Sequence, residues 1–303
     1  MFGSRTVVNM IARSAEDGAD RRRFLKSAGL AGLGAVGASA VGLDRAVAAG
    51  GPSDVAILNF ALNLEYLEAE FYSYAVSGHG LADKITTGRG DRGPVIGGRE
   101  VHFKNASIRR NAWEIAQDEK DHVRFLRGAL GSATVARPRI DIKNSFTAAA
   151  QAAGLIGPGE TFDPYANENN FLLAAFIFED VGVTAFKGAA PLINNKTYLE
   201  AAAGILAVEA YHAATIRERL YDKGLRGAAR KISAARDSLD GTSDLDQGIG
   251  SNMHTNIVPT DANGIAFSRS AAQVLNVVYL TPEQKRRGGF FPDGVNGSIN
   301  TSG

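Results

Sequence analysis

Apolar residues recur at helical spacing through most of the chain after residue 53. Val55, Leu58 and Leu62 fall on one face of a helix, because steps of three and four residues return to the same side. A serine stands before this stretch and a glycine stands after it, as is typical of helix ends. The pattern therefore predicts a helix over about residues 54–76.

The same spacing predicts three more long helices, one short helix and one peripheral helix. The expected ranges are 101–130, 168–190 and 197–223 for the long helices, 145–153 for the short one and 226–239 for the peripheral one. Thr197 and Glu200 have the spacing of a capping box, which is expected to open the last long helix. The glycine-rich stretch 78–100 predicts a long surface loop between the first two helices. Together these elements indicate an all-α four-helix bundle.

The bundle is expected to span residues 53–224, and residues 225–303 are expected to pack on it. After the peripheral helix, glycine, asparagine, serine and aspartate dominate, which predicts an irregular C-terminal tail. One apolar patch, Val274–Leu280, interrupts that tail.

Residues 1–48 carry the features of an export signal. Three arginines at 21–23 precede Phe-Leu-Lys, an Ala/Gly-rich run follows, and small residues at 46–48 suit cleavage by a signal peptidase. This order resembles a twin-arginine (Tat) signal peptide. The resemblance implies the Tat translocase as a partner, removal of residues 1–48 and a location in the periplasm or outside the cell. A basic helix that stays in a membrane is the alternative, but the run is shorter than the ~20 apolar residues that a span needs, so no stable membrane anchor is expected.

Charge and cysteine content narrow the possible chemistry. The chain has 33 basic and 32 acidic residues, and this balance does not indicate a nucleic-acid partner. It has no cysteine, which excludes disulfides, thiolate metal sites and cysteine nucleophiles. A metal would therefore be held by carboxylates and imidazoles, which suit iron, manganese or zinc.

Two Glu-x-x-His sequences, Glu119–His122 and Glu209–His212, lie in separate predicted helices. Each follows a helix that carries a glutamate in an apolar run. Residues three apart share a helix face, and this order of glutamates and Glu/His pairs can build a two-metal carboxylate site in a four-helix bundle. Four carboxylates also neutralise two divalent cations, as a dry interior demands. The predicted ligands of two iron or two manganese ions are Glu65, Glu119, His122, Glu179, Glu209 and His212.

An internal repeat relates the two halves of this set. An aromatic residue stands seven positions after each apolar-run glutamate, Tyr72 after Glu65 and Phe186 after Glu179. The repeat aligns Glu65 with Glu179, which favours Glu65 over Glu68 as the ligand; Glu68 is the alternative ligand, and Glu68 and Tyr72 are expected beside the metals. Four residues of one half match four of the other at identical offsets: Ile115, Glu119, His122 and Arg127 match Ile205, Glu209, His212 and Arg217.

A single Glu-x-x-His arises easily by chance, and then marks a surface glutamate and an ordinary core histidine. Two of them at matching offsets, in a chain with only five histidines, favour the metal site. Histidine ligands usually donate their other ring N–H to a carboxylate or a carbonyl. Asp118 is the expected partner of His122, and Asp180 is the expected partner of His212.

These motifs resemble those of the ferritin-like superfamily, and within it the exported ferritin-like-domain or desiccation-related group. Besides the two Glu-x-x-His sequences, the resemblance rests on Leu62–Tyr72, Phe178–Gly182, Arg269–Tyr279 and Gly289–Gly294, and it spans about residues 53–298. It implies a ferritin-like four-helix bundle with a di-iron or di-manganese site. It also makes manganese catalases and ferroxidases relatives of the same fold.

Two functions fit this reading of the sequence. The first is an oxidoreductase of the catalase, peroxidase or ferroxidase type, in which a metal pair reacts with peroxide or dioxygen in stress protection. The second is a non-enzymatic desiccation or stress protein that binds metal or acts structurally. The fold alone does not choose between them, and the ligand set suits both iron and manganese.

Overall fold

The computed structural model describes residues 51–303, so the predicted export signal lies outside the described residues. The α-helices of the described chain are α1 (Asp54–Ser77), α2 (Ala106–Leu130), α3 (Asn144–Ala152), α4 (Glu168–Ala189), α5 (Lys196–Asp222), α6 (Arg226–Leu239) and α7 (Ala271–Tyr279). Two short strands, β1 (Val95–Ile96) and β2 (Ile140–Asp141), pair in parallel. None of the helices within residues 51–303 combines the length and the hydropathy needed to cross a membrane.

The four long helices form a bundle in which α1 packs mainly on α2, and α4 mainly on α5. Every residue of α1 from 57 to 73 is buried, and so is every residue of α4 from 171 to 182. In contrast, α2 and α5 bury one face and expose the other. A helix that is buried all round needs cover on every side, so α1 and α4 require more of the chain than α2 and α5 provide.

The loop after α1, the short helices and the C-terminal segment provide that cover. Phe290, near the C-terminus, packs against Phe146 of α3 and Phe178 of α4, with ring centroids 5.0 and 4.8 Å away. A Cβ on Gly188 would lie 1.9 Å from the carbonyl oxygen of Arg269, so the absence of a side chain lets the C-terminal segment lie directly on α4. The all-α bundle predicted from the sequence is confirmed, with its exterior completed by these segments.

The predicted irregular tail is wrong at one place, because α7 occupies residues 271–279 within it. Ser270 and Gln273 form a capping box that opens this helix. The buried residues of α7 include Val274, Leu275 and Val278, so the apolar patch seen in the sequence is the core-facing side of a short helix.

Two predicted helix starts are displaced in the structure. The Asn195 side chain accepts hydrogen bonds from the backbone N–H groups of Thr197 and Tyr198, so α5 begins at Lys196, and the predicted capping box at Thr197 is wrong. The Asn105 side chain caps α2 in the same way, so α2 begins at residue 106 rather than near 101. In both cases asparagine, a strong N-cap residue, sets the boundary.

Candidate metal centre

Six buried side chains from the four long helices meet inside the bundle, and they form two groups of candidate ligands. One group is Glu65, Glu119, His122 and Glu209, and the other is Glu119, Glu179, Glu209 and His212. Within each group the ligand atoms lie within 4.8 Å of one another, so each group could hold a metal ion. Glu119 and Glu209 belong to both groups. The structure thus brings together all six residues that the sequence selected.

The first group converges on Nδ1 of His122. This atom lies 3.1 Å from Oε2 of Glu65, 3.6 Å from Oε2 of Glu119 and 3.7 Å from Oε1 of Glu209. Glu119 and His122 share a face of α2 because they are three residues apart. Glu65 reaches the same point from α1, and Glu209 reaches it from α5.

The second group repeats this arrangement around His212. Nδ1 of His212 lies 3.0 Å from Oε1 of Glu119 and 3.6 Å from Oε2 of Glu179. The two imidazole rings are 6.4 Å apart between centroids. The two halves of the internal repeat therefore each supply one histidine and one further glutamate, and Glu119 and Glu209 belong to the ligand groups of both histidines.

The structure pairs the predicted supporting aspartates differently from the sequence. Asp118 Oδ2 lies 3.1 Å from Nε2 of His212, so its predicted pairing with His122 is wrong. Asp180 accepts hydrogen bonds from Arg217 and Arg236, so its predicted pairing with His212 is wrong as well. Each aspartate is next in sequence to a ligand candidate, and one residue turns a helix by about 100°. Asp118 therefore reaches His212 on α5, in the other half of the repeat, and Asp180 reaches arginines of α5 and α6.

Many polar atoms of the site have no hydrogen-bond partner among residues 51–303. They are Oε1 of Glu65, both carboxylate oxygens of Glu119 and Glu209, Oε2 of Glu179 and Nδ1 of His212. His212 Nδ1 and Glu119 Oε1 count among these atoms although they lie close together, because the two groups are not oriented for a hydrogen bond. A buried carboxylate without a partner is costly. Since metal ions would satisfy these oxygens and nitrogens together, the donor set fits a metal site.

The pKa values of the site show the same imbalance of charge. Burial raises the pKa of Glu65 and of Glu179 to about 8. Burial and the neighbouring Glu119 raise the pKa of Glu209 well above its usual range. Burial alone would lower the pKa of the histidines, but the surrounding carboxylates raise it to about 11 for His122 and about 10 for His212. These shifts favour protonated carboxyl groups and imidazolium ions, and metal ions bound by the same side chains would displace those protons.

Glu68 and Tyr72 lie beside these groups on α1. Glu68 is buried, and burial followed by the charge of Glu119 raises its pKa well above the usual range. The Tyr72 hydroxyl donates a hydrogen bond to Oε1 of Glu179. Glu68 is not in either four-residue group, so the structure places it next to the candidate ligands rather than among them.

Gly182 of α4 makes room for two of these carboxylates. A Cβ at this position would lie 2.3 Å from Oε2 of Glu209 and 3.5 Å from Oε1 of Glu68. The repeat aligns Gly182 with Glu68, since each follows the apolar-run glutamate of its half by three residues. That alignment is the signal from which the role of Gly182 could have been found.

The fold and the site define the class of this protein. The sequence profile of the ferritin-like domain matches residues 53–222, so the chain belongs to the ferritin-like domain family. It is 31% identical over 264 residues to the desiccation-related protein PCC13-62 of Craterostigma plantagineum, covering 81% of this chain and 83% of the relative. It is 28% identical over 269 residues to the ferritin-like catalase Nec2 of Nesocodon mauritianus, covering 82% and 85%. No solved structure matches the chain.

Proposed function

We propose that the bundle binds two ions of iron or manganese and acts as an exported oxidoreductase on peroxide or dioxygen. The observation that carries the proposal is the sharing of Glu119 and Glu209 by the two ligand groups. Shared carboxylates hold two cations close together, and each cation then has one further glutamate and one histidine of its own. This is the ligand arrangement of carboxylate-bridged metal pairs in four-helix bundles.

Charge balance supports two divalent ions. Glu65, Glu119, Glu179 and Glu209 supply four negative charges when ionised, and two divalent cations supply four positive ones. A single cation would leave two of these buried carboxylates to be neutralised by protons, because a dry interior strongly penalises ionised groups without a partner. Oxygen and imidazole ligands suit iron and manganese.

When bound, such ions supply the change of oxidation state that peroxide or dioxygen chemistry requires. The chain's own residues hold the ligands in place and keep bulk water out. The Tyr72 hydroxyl fixes one oxygen of Glu179, and Asp118 fixes the ring of His212. The similarity to a protein named as a ferritin-like catalase supports turnover of peroxide.

A surface pocket between α2 and α5 ends at His212 and is where a small oxidant would approach the site. The pocket has a volume of about 230 Å³, and its wall includes His212 and Asp118 together with Glu114, Val208 and Thr215. His212 separates the pocket from the carboxylates behind it, because its Nε2 faces Asp118 and its Nδ1 faces Glu119. A molecule of the size of peroxide fits this space.

A non-enzymatic role is the second candidate, since the chain is 31% identical to a protein named as desiccation-related. In that case the metals would be bound without turnover. The test is to load the purified protein with manganese or with iron and to follow oxygen release from hydrogen peroxide. We expect release that depends on bound metal and is lost in Glu119→Gln. Two retained ions with no turnover of peroxide, and no oxygen consumption by the reduced protein, would overturn the enzymatic proposal in favour of the non-enzymatic one.

Asp118→Asn is expected to weaken metal binding by about 10–100-fold, the usual effect of removing the partner of a histidine ligand. The amide can still accept a hydrogen bond from His212, but it no longer stabilises the imidazole by charge. Competition with a chelator of known affinity measures the change. Asp121→Asn is the matched control, because Asp121 is exposed on the same helix and pairs with Arg124. Equal affinities of the two variants would contradict a role for Asp118.

A further inference from the structure

Two arginines occupy equivalent positions in the two halves of the repeat. Arg127 follows His122 by five residues, and Arg217 follows His212 by five residues. The Arg127 guanidinium donates a hydrogen bond to the hydroxyl of Tyr66. Tyr66 is the residue after Glu65, so Arg127 ties α2 to α1 next to a candidate ligand.

Arg217 makes the corresponding contact in the other half. Its Nη1 donates to Oδ2 of Asp180 over 2.8 Å, and Asp180 is the residue after Glu179. Arg217 thus ties α5 to α4 next to the matching ligand. The partner is a phenol in one half and a carboxylate in the other, but its position in the repeat is the same.

Each arginine also holds a segment that covers the bundle. Arg127 Nη1 donates over 2.6 Å to the carbonyl oxygen of Thr87, in the loop after α1. Arg217 donates to the carbonyl oxygens of Gln247, Gly248 and Asn256, in the segment after α6, over 2.8–3.1 Å. The planar guanidinium, with donors in fixed directions, suits a junction of three chain segments.

From these contacts we propose that Arg127 and Arg217 are equivalent positioning residues, one for each metal position. Arg127 sets the rotation of α1 at Tyr66, and thereby directs Glu65 towards His122. Arg217 sets the rotation of α4 at Asp180, and thereby directs Glu179 towards His212. Ligands must be held within about 0.5 Å of the productive geometry. Loss of the contacts of one arginine therefore weakens the binding of the metal ion in that half. The inference rests on the proposed pair of metal ions.

Arg127 and Arg217 differ in burial, so their loss should affect the stability of the fold to different extents. The Arg217 side chain is fully buried, and its partner Asp180 also binds Arg236. The hydrogen bonds of Arg127 reach partly exposed atoms. Loss of Arg217 is therefore expected to destabilise the fold much more than loss of Arg127, whereas the effect on metal binding is expected to be local in both.

The test uses Tyr66→Phe and Arg127→Met for one half and Asp180→Asn for the other, in the full chain. Each protein is titrated with manganese, and the occupancy of each position is determined by anomalous diffraction. We expect Tyr66→Phe and Arg127→Met to lower the affinity for the ion at Glu65 and His122 by about 10–100-fold, as loss of a residue that supports a metal ligand does. The ion at Glu179 and His212 should keep its affinity. Asp180→Asn should give the reverse, and Arg124→Met, at an exposed position one turn before Arg127, should change neither.

Equal weakening of both ions, or no change at either, would overturn the positioning role. Tyr66→Phe removes one oxygen atom and keeps the ring in the core, so it decides the question even where Asp180→Asn fails to fold. Unsubstituted protein that binds no manganese would instead contradict the proposed metal pair. The two failures are therefore distinguishable.

Discussion

Glu119→Ala is expected to abolish the binding of both metal ions, whereas Glu65→Ala is expected to abolish the binding of one. Glu119 contributes to both ligand groups, and each of its oxygens faces one histidine: Oε2 lies 3.6 Å from His122 Nδ1, and Oε1 lies 3.0 Å from His212 Nδ1. Glu65 belongs to one group only. Loss of the shared carboxylate removes a ligand from each ion and also a negative charge that offsets their mutual repulsion.

Metal analysis of the purified variants by mass spectrometry measures this difference. Glu114→Ala is the control, because Glu114 is an exposed residue on α2 outside both ligand groups. Thermal unfolding should show the same order, since ions that bind only the folded chain stabilise it. A Glu119→Ala protein that keeps one ion per chain would contradict a shared role for this carboxylate.

Arg236→Met is expected to reduce the free energy of unfolding by about 3–5 kcal/mol, the usual cost of breaking a buried ion pair from one side. Arg236 is 2% exposed and donates hydrogen bonds to Asp180, Asp246 and the carbonyl oxygen of Phe176. Asp246 also binds Arg269, which in turn binds Asp240. Without Arg236 the two carboxylates that it bridges lose a cation in an interior that excludes water.

This buried network balances three arginines against three aspartates: Arg217, Arg236, Arg269, Asp180, Asp240 and Asp246. Urea unfolding followed by circular dichroism measures the change on removing Arg236. Arg230→Met, at an exposed position on the same helix, is the control and should change stability by less than about 0.5 kcal/mol. A loss below about 1 kcal/mol for Arg236→Met would show that the network does not hold the C-terminal segment on the bundle.

The six candidate ligands could be selected from the sequence because their relation is local and repeated. A Glu and a His three residues apart share a helix face whatever surrounds them, and the repeat then selected Glu65 rather than Glu68. The partners of these residues depend on contacts between helices. Asp118 precedes Glu119 by one residue, and only the packing of α5 beside α2 shows that it reaches His212.

The cover of the bundle was the least predictable part of the fold. Arg217, Arg236 and Arg269 lie on α5, on α6 and in the segment before α7, and nothing in their local sequence indicates that they meet. Glycine and polar residues dominate around the helix over 271–279 and obscure its pattern, although Ser270 and Gln273 have the spacing of a capping box. Asn195 and Thr197 are both suitable N-cap residues, and in the structure Asn195 is the N-cap of α5.

The most direct test of the central claim is the number and position of bound metal ions. Crystals of the protein loaded with manganese or iron should give two anomalous peaks per chain inside the bundle. We expect both peaks in contact with Glu119 and Glu209, one of them also beside Glu65 and His122 and the other beside Glu179 and His212. A single peak between the two histidines, or peaks that do not touch Glu119 and Glu209, would contradict the shared-carboxylate metal pair.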